Sequence, residues 1–121
     1  MNEREMAVTF LQEVVANKIE NAYNKYVAED FVHHNQHFKS DRASLLAGMV
    51  ESNKHFPDKK LTVHKVIYEQ PYVVVHAHVW LSEEMEASLI HIFRFEGGKI
   101  AEMWEASEII GKNMVNELGV F

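Results

Sequence analysis

The stretch from Tyr72 to Ser107 restricts the possible folds of this chain more than any other segment, because it predicts three consecutive long strands. Side chains alternate between the two sides of a strand. His76, His78 and Trp80 therefore share one side of the first strand, and the other side is aliphatic. Strands joined by tight turns pair antiparallel. We expect a sheet with one aliphatic face and one face that carries aromatic and titratable groups.

The first of the two turns determines which histidines meet. A two-residue hairpin turn at Glu83 and Glu84 places His76 directly opposite His91. His78 lies two residues further along the same strand and points to the same side. The turn therefore predicts a cluster of histidines on one face of the sheet.

The second turn contains Gly97 and Gly98 and determines the orientation of Glu105. A three-residue loop with a glycine in the left-handed region fits this segment best, and it brings Glu105 to the face of His91. A two-residue loop at the glycines brings Trp104 to that face instead. The prediction that Glu105 joins the histidines depends on this turn.

Helical spacing of apolar residues precedes the strands. It predicts one helix at residues 3–16, a second that ends near Ala28 or Glu29, and a third from Ser40 or Asp41 to Pro57. The remaining predicted elements are a short extended segment at residues 31–34, a strand at 61–68 and a short amphipathic helix near the end of the chain, at 114–121.

Helices followed by a run of antiparallel strands indicate an α+β domain. We expect a single domain over residues 1–121, with the N-terminal helices packed on the concave face of a cone-shaped, curved antiparallel sheet. A bent sheet that helices close encloses a cavity, and such a cavity is typical of small-molecule binding.

Charge and composition exclude several classes of partner. The net charge is -6, and no cluster of lysine and arginine alternates with aromatic residues, so we expect no nucleic-acid partner. No apolar stretch approaches the ~20 residues of a membrane span, and none resembles a signal peptide, so we expect a cytoplasmic protein without a membrane partner. The absence of cysteine excludes thiolate chemistry and cysteine-ligated metals.

Two segments carry a resemblance to a known family. Residues 31–36, Phe-Val-His-His-Asn-Gln, resemble the Tyr-Ile-Gln-His-Asn-Pro signature of the SnoaL-like branch of the nuclear transport factor two-like superfamily. Residues 92–105 resemble the last hairpin of that branch. The resemblance implies a cystatin-like cone fold, a homodimer, and no metal or other cofactor. The superfamily includes polyketide cyclases, ketosteroid isomerases, dehydratases and proteins that only bind small molecules.

His91 and Glu105 stand where polyketide cyclases of this type carry a cooperating histidine and aspartate on the last two strands. The chain departs from the family pattern at three positions: His91 and Glu105 each replace an aspartate, and Met103 replaces a histidine. The resemblance implies that His91 and Glu105 are the catalytic acid/base pair. A buried ion pair that only orders the sheet is the alternative.

His34 and Asn35 carry the family signature and are the next candidates. An imidazole or amide at a cavity mouth can hydrogen-bond a carbonyl oxygen and stabilise an enolate. We expect His34 to contribute to catalysis, and His33, on the other side of the strand, to be exposed. The residues expected to bind the ligand are Asn35, His76, His78, Trp80, Phe93, Met49, Phe56 and Met103.

These residues lead to three hypotheses of function. The first is an enclosed pocket for a hydrophobic small molecule with a carbonyl group, and acid/base chemistry of the isomerase, cyclase or aldol type. The second is a non-catalytic module that binds a small molecule in the same pocket. The third is a metal site ligated by His76, His78, His91 and His34.

The aliphatic side of the sheet predicts self-association. Val73, Val75 and Val79, beside Ile90 and Ile92, are too apolar to face water if the helices cover the other side. We expect a homodimer that packs through the back of the sheet.

Overall fold

The computed structural model describes residues 1–121 and shows the expected α+β architecture. A five-stranded curved sheet has the strand order β1-β5-β4-β3-β2, in which β1 pairs parallel to β5 and the other pairs are antiparallel. No helix is long and apolar enough to cross a membrane. The helices are α1 (Glu3–Val15), α2 (Ile19–Tyr26) and α3 (Arg42–His55). The strands are β1 (Val27–His34), β2 (Lys60–Glu69), β3 (Tyr72–Ser82), β4 (Met85–Glu96) and β5 (Lys99–Ile109).

Side-chain caps fix where two helices begin. The Oδ1 atom of Asn2 accepts a hydrogen bond from the backbone N–H of Glu5 at 2.8 Å, which caps α1. Asp41, one of the two predicted caps of α3, accepts from the backbone N–H of Ser44 at 2.9 Å. Each cap satisfies a backbone donor that the first turn of a helix leaves without a partner.

The helices pack on the concave face of the sheet around an aromatic cluster. The ring of Phe10 lies 5.6 Å from that of Tyr23 and 6.1 Å from that of Phe93, between centroids. Val73 and Val75 of β3 lie in the same core and are fully buried. The prediction that the aliphatic side of β3 faces away from the helices is therefore wrong. The helices bury that side because it offers the most apolar surface.

A bulge in β3 explains why His91 lies on the same face as Val75 and not on the face of His76. Ser82 pairs with Met85, as the two-residue turn requires, but Trp80 pairs with Glu86, so Leu81 has no partner. An extra residue in one strand moves every later pair by one position and so changes the face on which each side chain lies. His91 consequently pairs with Val75 and not with His76.

A second bulge follows the glycine turn. Gly97 and Gly98 form a two-residue turn with φ values of 57° and 77°, a conformation that glycine adopts without strain. Ala101 is then left without a partner in β5, because Phe95 pairs with Ile100 while Arg94 pairs with Glu102. The predicted three-residue loop is wrong, yet the bulge has the same effect on orientation: Glu105 pairs with His91.

The last residues are irregular, and the helix predicted there is absent. Ile110 extends the sheet by one hydrogen bond, from its backbone N–H to the carbonyl oxygen of Glu86 at 2.9 Å. The chain then ends on the convex face, where the ring of Phe121 stacks on His64 at 4.3 Å and on His76 at 5.3 Å.

Candidate functional site

A cavity of about 220 Å³ lies between the concave face and helices α1 and α3. Hydrophobic side chains form 11 of its 17 lining residues, so a ligand would be largely surrounded by apolar groups. The side chains that form the apolar wall include Leu11, Val14, Leu45, Met49, Val79 and Leu89. Met49 was predicted to bind the ligand, and its position in the wall agrees with that prediction.

His91 and Glu105 form the ionisable pair of this cavity. The Nε2 atom of His91 donates to the Oε1 atom of Glu105 at 3.0 Å. The side chain of His91 is 4% exposed and that of Glu105 is 25% exposed. The two residues are directly opposed on β4 and β5, so the ladder hydrogen bonds hold them in register. The predicted proximity of His91 and Glu105 is confirmed.

Opposing influences set the pKa of Glu105. Burial raises it, and the hydrogen bond from His91, together with the charges of His91, His37 and His33, lowers it by more. The net result is a pKa below the ordinary value of 4.5, so Glu105 is a carboxylate at neutral pH. The cavity therefore contains a partly desolvated anion that can accept a proton.

Lys59 is a lining residue that the sequence analysis missed. It lies just before β2, and its Nζ atom donates to the Oγ atom of Ser52, on the last turn of α3, at 2.6 Å. Burial lowers the pKa of Lys59, and the charge of Glu105 opposes that effect. The pair Lys59-Lys60 before an alternating strand was the available signal, since one of two adjacent side chains at a strand start must point inward.

Phe38 closes part of the cavity and was also missed. Its ring packs on Gly48 of α3, where an added Cβ atom would lie 2.5 Å from the ring. Glycine at position 48 lets the ring approach α3 this closely, and a side chain there would displace the ring of Phe38. Glycine within a helical pattern was the signal, because it often marks a close contact.

Asn35 lines the cavity, but half of its side chain serves the loop that carries it. Its Oδ1 atom accepts hydrogen bonds from the backbone N–H groups of His37 at 2.8 Å and Phe38 at 3.1 Å. The amide Nδ2 atom of Asn35 remains for a ligand. The position of Asn35 is therefore compatible with support of the loop by Oδ1 and with contact to a ligand by Nδ2.

His34 and His33 have exchanged the positions expected of them. His34 points to the convex face, where its Nε2 atom contacts Glu102 at 2.7 Å and its ring stacks on Trp104 at 5.1 Å. His33 is buried, stacks on Phe31 and contacts the carbonyl oxygen of Lys39 at 2.6 Å. The prediction that His34 reaches into the cavity is wrong. The large apolar Phe31, two residues before His33, was the signal for the inward side.

His76, His78 and Trp80 also lie outside the cavity, so their prediction as ligand-binding residues of this pocket is wrong. They point to the convex face: His76 contacts Ser88 at 3.1 Å, and Lys60 lies over the ring of Trp80 at 4.9 Å. The bulge at Leu81 is the physical reason, since it separates them from His91.

The separation of the histidines removes the basis for the predicted histidine-ligated metal site. His91 lies on the concave face, while His34, His76 and His78 lie on the convex face. No group of three or more histidine, aspartate or glutamate side chains is arranged to hold a metal ion.

Phe93, Met103 and Phe56 were expected to contact the ligand but do not line the cavity. Phe93 and Met103 are on the concave face, two residues along from His91 and Glu105, and are buried in the core. Phe56 ends α3 and borders a shallow surface depression together with Trp80. The cavity occupies only one end of the sheet. Met49 lies at that end and lines the cavity, whereas Phe93 and Met103 lie in the core beyond it.

Solved structures share this fold. IdmH of Streptomyces antibioticus, a proposed polyketide cyclase, superposes with a TM-score of 0.70 and 19% identity, over 88% of this chain and 93% of its own. A protein of unknown function from Cytophaga hutchinsonii, of the nuclear transport factor two-like type, gives 0.74 and 15% over 89% and 91%. A proposed ketosteroid isomerase from Kribbella flavida gives 0.74 and 17% over 98% and 93%.

Sequence comparison identifies the family. Among curated protein sequences, none is significantly similar to this chain. The model of the SnoaL-like polyketide cyclase family matches residues 5–111, which is most of the chain and includes every strand. The resemblance seen in the two sequence motifs is thereby confirmed, and the chain belongs to the SnoaL-like polyketide cyclase family.

Proposed function

We propose that the cavity binds an apolar small molecule with a carbonyl group and that Glu105 removes a proton from the carbon next to that carbonyl. The observation that supports this most is the His91–Glu105 pair, at 3.0 Å, in a cavity whose wall is mainly apolar. A carboxylate held in such a setting is suited to general base catalysis.

The chemistry begins with one proton transfer. Glu105 accepts the proton as the C–H bond breaks, and the electron pair of that bond forms an enolate. His91 holds the carboxylate by donating to Oε1, which leaves Oε2 as the atom that accepts the proton. Where the enolate is conjugated with a carbon–carbon double bond, return of the proton from Glu105 to the far carbon gives isomerisation. Attack of the enolate carbon on a second carbonyl forms a carbon–carbon bond and moves the π pair of that carbonyl to its oxygen, which takes the proton from Glu105 and completes an aldol-type cyclisation. Similar structures include a proposed ketosteroid isomerase and a proposed polyketide cyclase.

A direct test measures proton exchange on a model ketone. β-Tetralone, an apolar bicyclic ketone, is incubated with the protein in deuterium oxide, and loss of the proton signals next to the carbonyl is followed by NMR. The unaltered protein should accelerate the exchange. Glu105→Gln should lower the rate by about a hundredfold or more, the usual contribution of a general base.

The matched control is Glu108→Gln, which makes the same change on the same strand at an exposed position. It should exchange at the unaltered rate. Exchange by Glu105→Gln at the rate of the control would show that Glu105 is not the base.

Ligand binding without catalysis is the second candidate. The lowered pKa of Glu105 favours it, because a weaker base removes protons more slowly. In that case β-tetralone should bind to the cavity, with no exchange above the rate in buffer.

A further inference from the structure

Lys59 is the only lysine or arginine that lines the cavity. Its ammonium group has no acidic partner. Lys59 takes part in none of the ion pairs within 4.0 Å. Its side chain is half-buried. A half-buried ammonium group has lost part of its hydration, and an anion would offset that loss. No side chain of the protein supplies such an anion to Lys59 within 4.0 Å.

One contact fixes the position of this ammonium. Its Nζ atom donates to the Oγ atom of Ser52 at 2.6 Å, which attaches it to α3 on the cavity wall. An ammonium has three N–H donors, and Ser52 takes only one. The remaining donors are available to an oxygen atom of a ligand.

The environment of Lys59 favours an oxygen that carries negative charge. Burial lowers the pKa of Lys59, while the charge of Glu105, which lines the same cavity, raises it. Glu105 is too far away to form an ion pair with Lys59. A hydrogen bond between ionised partners is stronger than one between neutral groups, so a ligand anion would compensate for the water that Lys59 has lost.

We propose that Lys59 binds the carbonyl oxygen of the ligand and stabilises the negative charge that this oxygen acquires. The inference rests on the proposed function, in which Glu105 removes the neighbouring proton. As the C–H bond breaks, the proton goes to Glu105, the C–H electron pair forms a carbon–carbon double bond, and the π pair of the carbonyl moves to oxygen. Lys59 donates to that oxygen, and stabilisation of a developing oxyanion is among the largest contributions to catalysis.

Binding of a matched pair of probes tests the role of Lys59 without requiring catalysis. Naphthalene carboxylate carries the negative charge, and naphthalene carboxamide has the same shape without it. Affinities of both are measured by calorimetry for the unaltered protein, Lys59→Met and Lys60→Met. Lys60 is the matched control because it is exposed, lies over Trp80 on the convex face, and loses the same net charge when replaced.

We expect the unaltered protein and Lys60→Met to bind the carboxylate more tightly than the carboxamide. Lys59→Met should lose about tenfold or more in affinity for the carboxylate, as expected for a lost charge-assisted hydrogen bond. Its affinity for the carboxamide should stay within about twofold of the unaltered protein, which also shows that the variant is folded.

Two results would overturn the inference, and they differ in what they say of the proposed function. If Lys59→Met keeps the preference for the carboxylate, Lys59 does not bind the anion, and the cavity and its base are unaffected. If neither probe binds to the unaltered protein, the ligand class is wrong for both proposals. A preference that depends on Lys59, together with no proton exchange on β-tetralone, would overturn the role of Glu105 and the stabilisation of a developing oxyanion, and would leave Lys59 as the residue that binds an anionic oxygen of the ligand.

Discussion

The two faces of the sheet carry the same kind of pair in different surroundings. On the concave face, His91 and Glu105 are 3.0 Å apart, with 4% and 25% of their side chains exposed. On the convex face, His78 and Glu86 are closer, at 2.8 Å, with 23% and 45% exposed. Water screens the second pair, and exposed pairs contribute little free energy. Burial, more than the distance between partners, distinguishes the candidate site from a surface contact.

A charge placed on each face should give the largest difference. Val75→Asp puts a carboxylate into the fully buried core, and it should lower the free energy of unfolding by about 4 kcal/mol or more, or prevent folding. Ile67→Asp puts the same charge on an exposed position of β2 and should change that free energy by less than about 1 kcal/mol. Urea denaturation followed by circular dichroism measures both.

A folded Val75→Asp variant with a stability close to that of Ile67→Asp would contradict the assignment of the faces. The helices would then not depend on the aliphatic side of β3.

Self-association is the next largest effect. The homodimer stays a prediction, but Val73, Val75 and Val79 cannot form its interface, because they lie beneath the helices. The back of the sheet is the convex face, where Ile90 is 44% exposed and Ile92 lies beside it. We expect the unaltered chain to be a dimer at micromolar concentration.

Ile92→Asp should convert that dimer to a monomer without unfolding it, because the charge would be buried at the interface. Asn21→Asp, which adds the same charge on the outer side of α2, should leave the dimer intact. Light scattering coupled to size-exclusion chromatography gives the mass of each. An unaltered chain that elutes as a monomer would refute the dimer prediction.

The smallest expected effect is a change in pH dependence. Glu105 must be a carboxylate to accept a proton, so activity should fall as the pH drops through its pKa, which lies below 4.5. His91→Leu removes the hydrogen bond and the charge that do most to lower this pKa, and leaves burial, which raises it, opposed by the smaller effects of the charges of His37 and His33. The acid limb of the exchange rate should therefore move to higher pH.

His78→Leu is the control, since it removes the histidine of the exposed pair on the convex face. Its acid limb should coincide with that of the unaltered protein when exchange on β-tetralone is measured between acidic and neutral pH. An acid limb that moves equally in both variants would mean that His91 does not set the pKa of Glu105.

Much of the fold followed from local patterns. The three long strands, the three helices that precede them and the cap at Asp41 were predictable, because periodicity, turns and caps depend on residues close in sequence. The helix predicted at residues 114–121 was wrong. The closeness of His91 and Glu105 was predicted too, although the loop used to argue it was wrong. The bulge at Ala101 gives Glu105 the orientation that the predicted loop would have given it, which is why the error in the turn did not remove the pair.

The sequence by itself determined which segments are strands and where they turn, and it identified His91 and Glu105 as a candidate pair. Only the tertiary structure decided which side chains of neighbouring strands share a face. The unpaired residues Leu81 and Ala101 each shift the register by one residue, so the side chains that follow lie on the opposite face from the one that a two-residue turn alone would give. A bulge has no strong local signal, since it depends on how the sheet must bend to cover the helices. In the folded protein Lys59 lines the cavity and His33 is buried, while His34, His76 and His78 lie on the convex face, so the site is separated from these three histidines.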